Sequence, residues 1–203
     1  MGIISVNSNT PRYFVETYLG IENLGYFGAM AYIIVGASQV AQSLGGSITA
    51  SLSRRYCANR GSYVVLLGKA TAATVILSVL VVVFAACFGK PFLSLVYKPE
   101  YAQRQDVFVW LMAASGMSMI TSMLGFGATA VRYFKSQVPI FLIALGACLF
   151  LSGVLVPRYG MKGAAWALLL TSVVQGAGCL LLIMLALKAP LAATPEKSAD
   201  GRT

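Results

Sequence analysis

The stretch ATAATVILSVLVVVFAACF, residues 70–88, runs for 19 residues without a charge. A hydrocarbon core roughly 30 Å thick is crossed by about 20 residues of helix, each rising about 1.5 Å. The stretch is nearly long enough alone, and apolar residues from Tyr63 onward complete it. Lys69 lies about two turns from the basic residue Arg60, a distance over which a lysine stem can snorkel to the interface, so it reads as interfacial.

Four further segments have the same character. With 63–88 they make a series of transmembrane helices over 25–52, 63–88, 107–131, 139–156 and 163–187. Asp106 suits an N-cap for the third, Pro139 suits the first turn of the fourth, and Pro157 with Gly160 suits its end. The expected fold class is all-α: a polytopic membrane helix bundle with five full transmembrane helices and a partial one, residues 1–20, ahead of them. The partial segment carries Ile3, Ile4 and Val6 and then turns polar, so the expectation is that Met1 stands midway along a spanning helix. Residues 188–203, with Pro190, Pro195 and a polar end, read as a disordered tail.

Composition agrees. The 203 residues are 58% hydrophobic and 10% charged, against roughly 25% charged in a soluble domain. So few charges cannot cover a water-facing surface, which excludes a soluble enzyme. Fifteen Lys and Arg stand against six Asp and Glu, but they flank apolar runs, where they meet lipid headgroups rather than nucleic acid. The four cysteines are widely separated and there is no histidine, so neither a zinc signature nor a histidine-assisted nucleophile is present in the sequence. No cofactor is expected, and nothing in the residues points to bond-making chemistry.

Basic residues in short loops are retained in the cytoplasm. One set of loop ends holds Arg54, Arg55, Arg60, Arg132, Lys135, Lys188, Lys197 and Arg202; the alternate set holds Lys90, Lys98, Arg104, Arg158 and Lys162. The richer set is expected inside, with the C-terminus, leaving the turn around Glu22 outside. The loop 89–105 is expected to lie partly in the interface as a short amphipathic piece.

Candidate site residues stand out by being polar where lipid is expected. Ser5, Asn9, Arg12 and Glu16 recur at spacings of three and four and share a helix face. An arginine inside a membrane is costly unless paired or facing water. Either Arg12 and Glu16 neutralise each other near the interface, or this face lines a polar cavity in which Arg12 meets an anionic group such as a pyrophosphate. Pro11 is expected to bend or break the helix there. In the next segment Ala37, Ala41, Gly45 and Thr49 form a small-residue stripe suited to close helix packing, while Gln39 and Gln42 must bond across the bundle or to cavity water. Gln175 with Thr171 repeats the theme, with bundle packing as its reading.

Three stretches, NSNTPRYFVETYLG (7–20), FGKPFLSLVYKPEYA (88–102) and VPRYGMKGAAWALLL (156–170), resemble the C-terminal half of the polysaccharide transporter family. That family exports O-antigen, capsule and related repeat units, and shares a superfamily with lipid II flippases and MATE drug exporters. The resemblance covers nearly the whole chain to Leu187. It implies one lobe of a two-lobe flippase that moves a lipid-linked oligosaccharide across the bacterial plasma membrane by alternating access. The partial helix would correspond to the family's seventh and the five full ones to its eighth through twelfth. The resemblance places Asn7, Asn9, Arg12 and Gln39 at the cavity; Glu16 and Gln42 lie beside them. The implied partners are the lipid-linked substrate, membrane lipids and either an N-terminal lobe that this chain lacks, without which activity is not expected, or other polysaccharide-assembly membrane proteins. The alternatives are a drug or cation antiporter of the same superfamily, for which only Glu16 offers a carboxylate near the cavity, and a non-transporting scaffold or remnant.

The orientation is open to a direct check. Green fluorescent protein fused after Thr203 is expected to fluoresce, and alkaline phosphatase to be active when inserted within 89–105 but inactive after Thr203; the reverse pattern would invert the topology.

Overall fold

The computed structural model describes the backbone of residues 2–97, 99–131 and 134–188, with all side chains in these ranges except those at 2–8, 33–35, 37, 38, 40, 41, 44, 99, 102 and 134–136. The described residues form α1 (Gly2–Ala58), α2 (Arg60–Val96), the single-turn α3 (Pro99–Ala102), α4 (Gln105–Ala130), α5 (Phe134–Tyr159) and α6 (Met161–Lys188), with no strand among them. Four helical stretches are long and apolar enough to cross a membrane: α2, α4, Gln137–Tyr159 of α5, and α6. These account for four of the five expected full spans among the described residues. The segment 25–52 is helical and carries no charged residue, and its side chains at 33–35, 37, 38, 40, 41 and 44 lie outside the described residues.

Helix α1 is two arms joined at Gly20, whose φ of 84° and ψ of 170° are open to glycine and strained for any residue with a Cβ. A straight helix would set Arg12 and Tyr32 about 30 Å apart. The Arg12 guanidinium carbon instead lies 5.3 Å from the centre of the Tyr32 ring, so the chain folds back on itself at Gly20. Asn23 donates its side-chain amide to the Leu19 carbonyl at 2.7 Å, satisfying an acceptor at the bend. The break expected at Pro11 does not occur: helix continues through this buried proline, whose φ suits a helix, and the chain turns nine residues later.

Other boundary signals also act differently from expectation. Helix α2 does not end near Phe88 but runs through Pro91 to Val96, so the interfacial loop shrinks to a few residues around α3. Gln105 donates to the carbonyls of Ala86 at 2.9 Å and Ala85 at 3.4 Å, one turn before the proline, where the ring presses on the preceding turn. Asp106 is not the N-cap of α4; that position is Arg104, and Asp106 sits in the first turn, where it pairs with Lys162 at 3.0 Å. Pro139 lies within α5 rather than in its first turn, because the helix starts at Phe134. Pro157 is also internal, and Gly160, with φ of 61°, ends α5 after Tyr159. Lys188 closes α6 rather than opening a tail; residues 189–203 lie outside the described residues.

The bundle has a buried cluster at each end. Val15, Phe27, Met30, Leu93, Phe108, Leu111 and Val156 form the one near Gly20, and Leu52, Tyr63, Leu67, Ala128 and Ile183 the other. Between them, hydroxyls bond backbone carbonyls on neighbouring helices: Ser78 of α2 to Gly116 of α4 at 2.9 Å, and Thr121 of α4 to Ser172 of α6 at 2.8 Å. Such bonds hold helices together where lipid offers no hydrophobic drive. At the far end Tyr63 donates to the Gly127 carbonyl at 3.0 Å, Tyr56 donates to the Ala186 carbonyl at 3.2 Å, and Arg60 donates to the Leu187 carbonyl, capping α6. From the expected small-residue stripe, Gly45 lies under the Phe126 ring of α4, leaving no room for a methyl; the Ala37 and Ala41 side chains lie outside the described residues.

The α5–α6 turn is the tightest contact. A Cβ added at Gly163 would overlap the Leu155 carbonyl, whereas one at Gly146 would meet nothing within 4 Å. Gly163→Ala is therefore expected to destabilise the bundle by about 3 kcal/mol and Gly146→Ala by less than about 1 kcal/mol in either direction, read as thermal unfolding in detergent micelles. Equal melting of the two variants would overturn this account of the turn.

Candidate functional site

The fold-back at Gly20 brings Arg12 of the first arm against Tyr32 of the second, twenty residues further along the chain. On the first arm, Arg12 donates from Nη1 to the Asn9 Oδ1 at 3.4 Å, a weak bond, and its guanidinium lies over the Tyr32 ring of the second arm. A guanidinium over a tyrosine face at this distance gains roughly 0.5–2 kcal/mol, depending on how far it is desolvated. Arg12 is half-buried, and Tyr32 is 67% exposed.

The alternative in which Arg12 and Glu16 neutralise each other is not the arrangement found. No ion pair joins them, and Glu16 is exposed. Asn7 lies on the same arm, but its side chain is outside the described residues.

From Tyr32 the second arm continues the surface at helical spacing. Tyr32, Gly36, Gln39, Ser43 and Gly46 follow at steps of three and four, so they share one face, and all are exposed. Gln42, three residues after Gln39, is exposed as well. The serines turn inward, Ser43 donating to the Gln39 carbonyl at 2.9 Å and Ser47 to the Ser43 carbonyl at 2.9 Å. The structure thus joins Asn9 and Arg12 to Tyr32, and Gln39 and Gln42 follow Tyr32 along the second arm, both exposed. Glu16 stands outside this contact.

Other helices expose a different surface. From α2 come Ile76, Val79, Leu80 and Val83, and from α5 Leu142, Ile143, Leu149 and Phe150. Such exposed apolar faces suit contact with lipid. An unpartnered primary amide carried into hydrocarbon costs roughly 2–7 kcal/mol, so the exposed glutamines of α1 require water or protein rather than lipid tails against them. The chemistry available is binding: a guanidinium with its amide and tyrosine neighbours can hold an anionic oxygen, and the glutamines can exchange hydrogen bonds with hydroxyls.

Reading the sequence had missed Tyr32 as the partner of Arg12, because the contact depends on the fold-back. It also missed a cluster on the far side of the same bend. Arg104 donates to the Asn23 Oδ1 at 2.9 Å and lies over the Tyr26 ring at 4.6 Å, while Tyr26 donates to the Glu100 Oε2 at 3.0 Å. The tyrosines around Glu100 in the 88–102 stretch were the available signal.

No catalogued protein family and no solved structure matches the chain. Among characterised proteins it is similar to the capsular polysaccharide biosynthesis protein CapF of Staphylococcus aureus, with 28% identity over 167 residues. The match takes in 79% of this chain and 41% of that protein, so the chain spans under half the length of this relative.

The polar face of α1 has an expected signature. With Cys57 and Cys87 replaced, a cysteine at position 39 (Gln39→Cys) in membrane vesicles is expected to react with a small water-soluble maleimide about tenfold faster than one at the lipid-facing position 150 (Phe150→Cys), because thiols ionise poorly in hydrocarbon. Equal rates would mean that the face meets lipid.

Proposed function

We propose that this chain is one lobe of a bacterial plasma-membrane transporter that flips a lipid-linked oligosaccharide repeat unit, rather than an enzyme. The observation that carries this reading is the polar exposed face of α1, headed by Arg12 and Tyr32, on a bundle whose α2 and α5 present apolar outer faces. A charged, hydroxyl-rich headgroup needs such a path, while its lipid tail remains in the bilayer beside it. The likeness to a capsular polysaccharide biosynthesis protein supports the substrate class.

In this reading Arg12 and Asn9 receive the pyrophosphate, with Asn7 on the same arm, and Gln39 and Gln42 line the passage of the sugars. The segment 25–52 then crosses the membrane as a fifth span, its polar side shielded from lipid. Alternating access moves two repeats about a site between them, so a second lobe faces α1 and the isolated chain is inactive. The C-terminus and the Arg54, Arg55 and Arg60 end are cytoplasmic. Transport proceeds without a bound cofactor.

Complementation of a strain lacking its own repeat-unit flippase tests this. A full-length protein carrying this lobe is expected to restore surface polysaccharide, this chain alone is not, and Arg12→Ala in the full-length protein is expected to lower export about tenfold or more, as loss of one charge-assisted contact would. Failure of the full-length protein with every repeat unit tried would refute the flippase reading.

A further inference from the structure

At the Gly20 end of the bundle a cleft of about 520 Å³ opens between the start of the second arm of α1, the last turn of α2, and α3. Its size falls within the roughly 300–1,000 Å³ of small-molecule sites. Glu22, Gly25 and Tyr26 line one side, with Tyr97, Glu100 and Tyr101 opposite. It is separate from the Arg12 face and has a different chemistry.

The tyrosines are held in place by one another and by the backbone. Tyr97 and Tyr101 stack with centroids 4.9 Å apart and an interplanar angle of 21°, and Tyr26 meets Tyr101 nearly edge-on at 4.7 Å. Tyr97 donates to the Ala29 carbonyl at 3.0 Å, and Tyr26 donates to Glu100, so two of the three hydroxyls are already directed. Around these rings stand acceptors with capacity to spare. Glu100 accepts from Tyr26 through one oxygen, and the described ion pairs do not include Glu22 or Glu100.

Aromatic walls with carboxylate acceptors suit either a hydroxyl-rich sugar ring or an organic cation. Two observations favour the sugar. The Arg104 guanidinium already occupies a face of Tyr26, so the cation–π position there is filled by the protein itself. Its positive charge, fixed by Asn23, also offsets one of the two carboxylates, which leaves a cleft of low net charge. Anionic sugars are disfavoured by both glutamates.

We propose that this cleft is a binding site for an uncharged sugar, whose C–H face lies against the tyrosines and whose hydroxyls donate to Glu22 and Glu100. On the transporter reading, and only there, the sugar belongs to the repeat unit and meets the cleft at the non-cytoplasmic surface. The position of Gly25 provides a sharp probe: it lines the cleft, and a Cβ added there meets nothing within 4 Å, so a larger side chain can fill the space without disturbing the helix.

The test is saturation-transfer NMR on the intact chain in lipid nanodiscs, with methyl glycosides of neutral hexoses and N-acetylglucosamine as probes and choline and glucuronate as charged comparators. At least one neutral probe is expected to receive saturation, and Gly25→Leu and Tyr101→Ala are each expected to weaken its binding about tenfold, the scale of one lost aromatic contact. Gly25→Leu keeps the result interpretable if Tyr101→Ala fails to fold. Three outcomes would overturn the proposal: no neutral probe binds, choline binds more tightly and displaces the sugar, or Gly25→Leu binds as the parent does. Because binding is read without transport, sugar binding in a protein whose full-length parent never restores export would leave the cleft standing and refute the lobe reading. Export without neutral-sugar binding would do the reverse.

Discussion

Between helices in lipid there is little hydrophobic gain, so a bundle must be held by close approach and by polar bonds that lipid cannot replace. Helix α4 is where this constraint is met. Its most apolar stretch is 56% buried, against 17–22% in the other three apolar spans. Gly116 admits Ser78 of α2, Gly127 admits Leu67 and the Tyr63 hydroxyl, and Phe126 covers Gly45 of α1. From the other side Thr121 fills the space left by Gly176 of α6 and bonds the Ser172 carbonyl. With α4 so enclosed, α2, α5 and α6 are free to give their outer faces to lipid, and α1 is left with a side that neither lipid nor the bundle satisfies.

Much of this architecture was legible because hydrocarbon thickness imposes a length that apolar runs display openly. The stretches that became α2, α4, α5 and α6 could be read from charge-free length alone. Their ends could not. Proline signals a helix end in water, where a freed carbonyl is readily hydrated, but Pro91 and Pro157 stay inside helices. Gly20, by contrast, looked like one of many glycines. Its importance lies in a backbone conformation that composition does not reveal. The segment 25–52 is as free of charge as the others, and its glutamines and serines make it the least apolar of the set.

The candidate site was legible residue by residue but not as a surface. Periodicity correctly put Asn9 and Arg12 on one helical face, since that requires only local geometry. It also put Glu16 within reach of Arg12, and there a long-range contact won: the fold-back offers Arg12 the Tyr32 ring. Tyr26, Tyr97, Tyr101 and Arg104 escaped notice for a similar reason. They converge across a sequence gap of about seventy residues, which no helical spacing encodes.

The capping of α6 by Arg60 has an electrostatic consequence for the membrane surface. A helix that ends near a bilayer presents partial negative charge from its last carbonyls and would repel anionic headgroups. Here the guanidinium reaches across from the start of α2 to the Leu187 carbonyl, with Arg54 and Arg55 one helix end away. The sign of that corner is reversed. A corner that would repel anionic headgroups becomes one whose charge attracts them, at the level where the ends of α1, α2 and α6 meet.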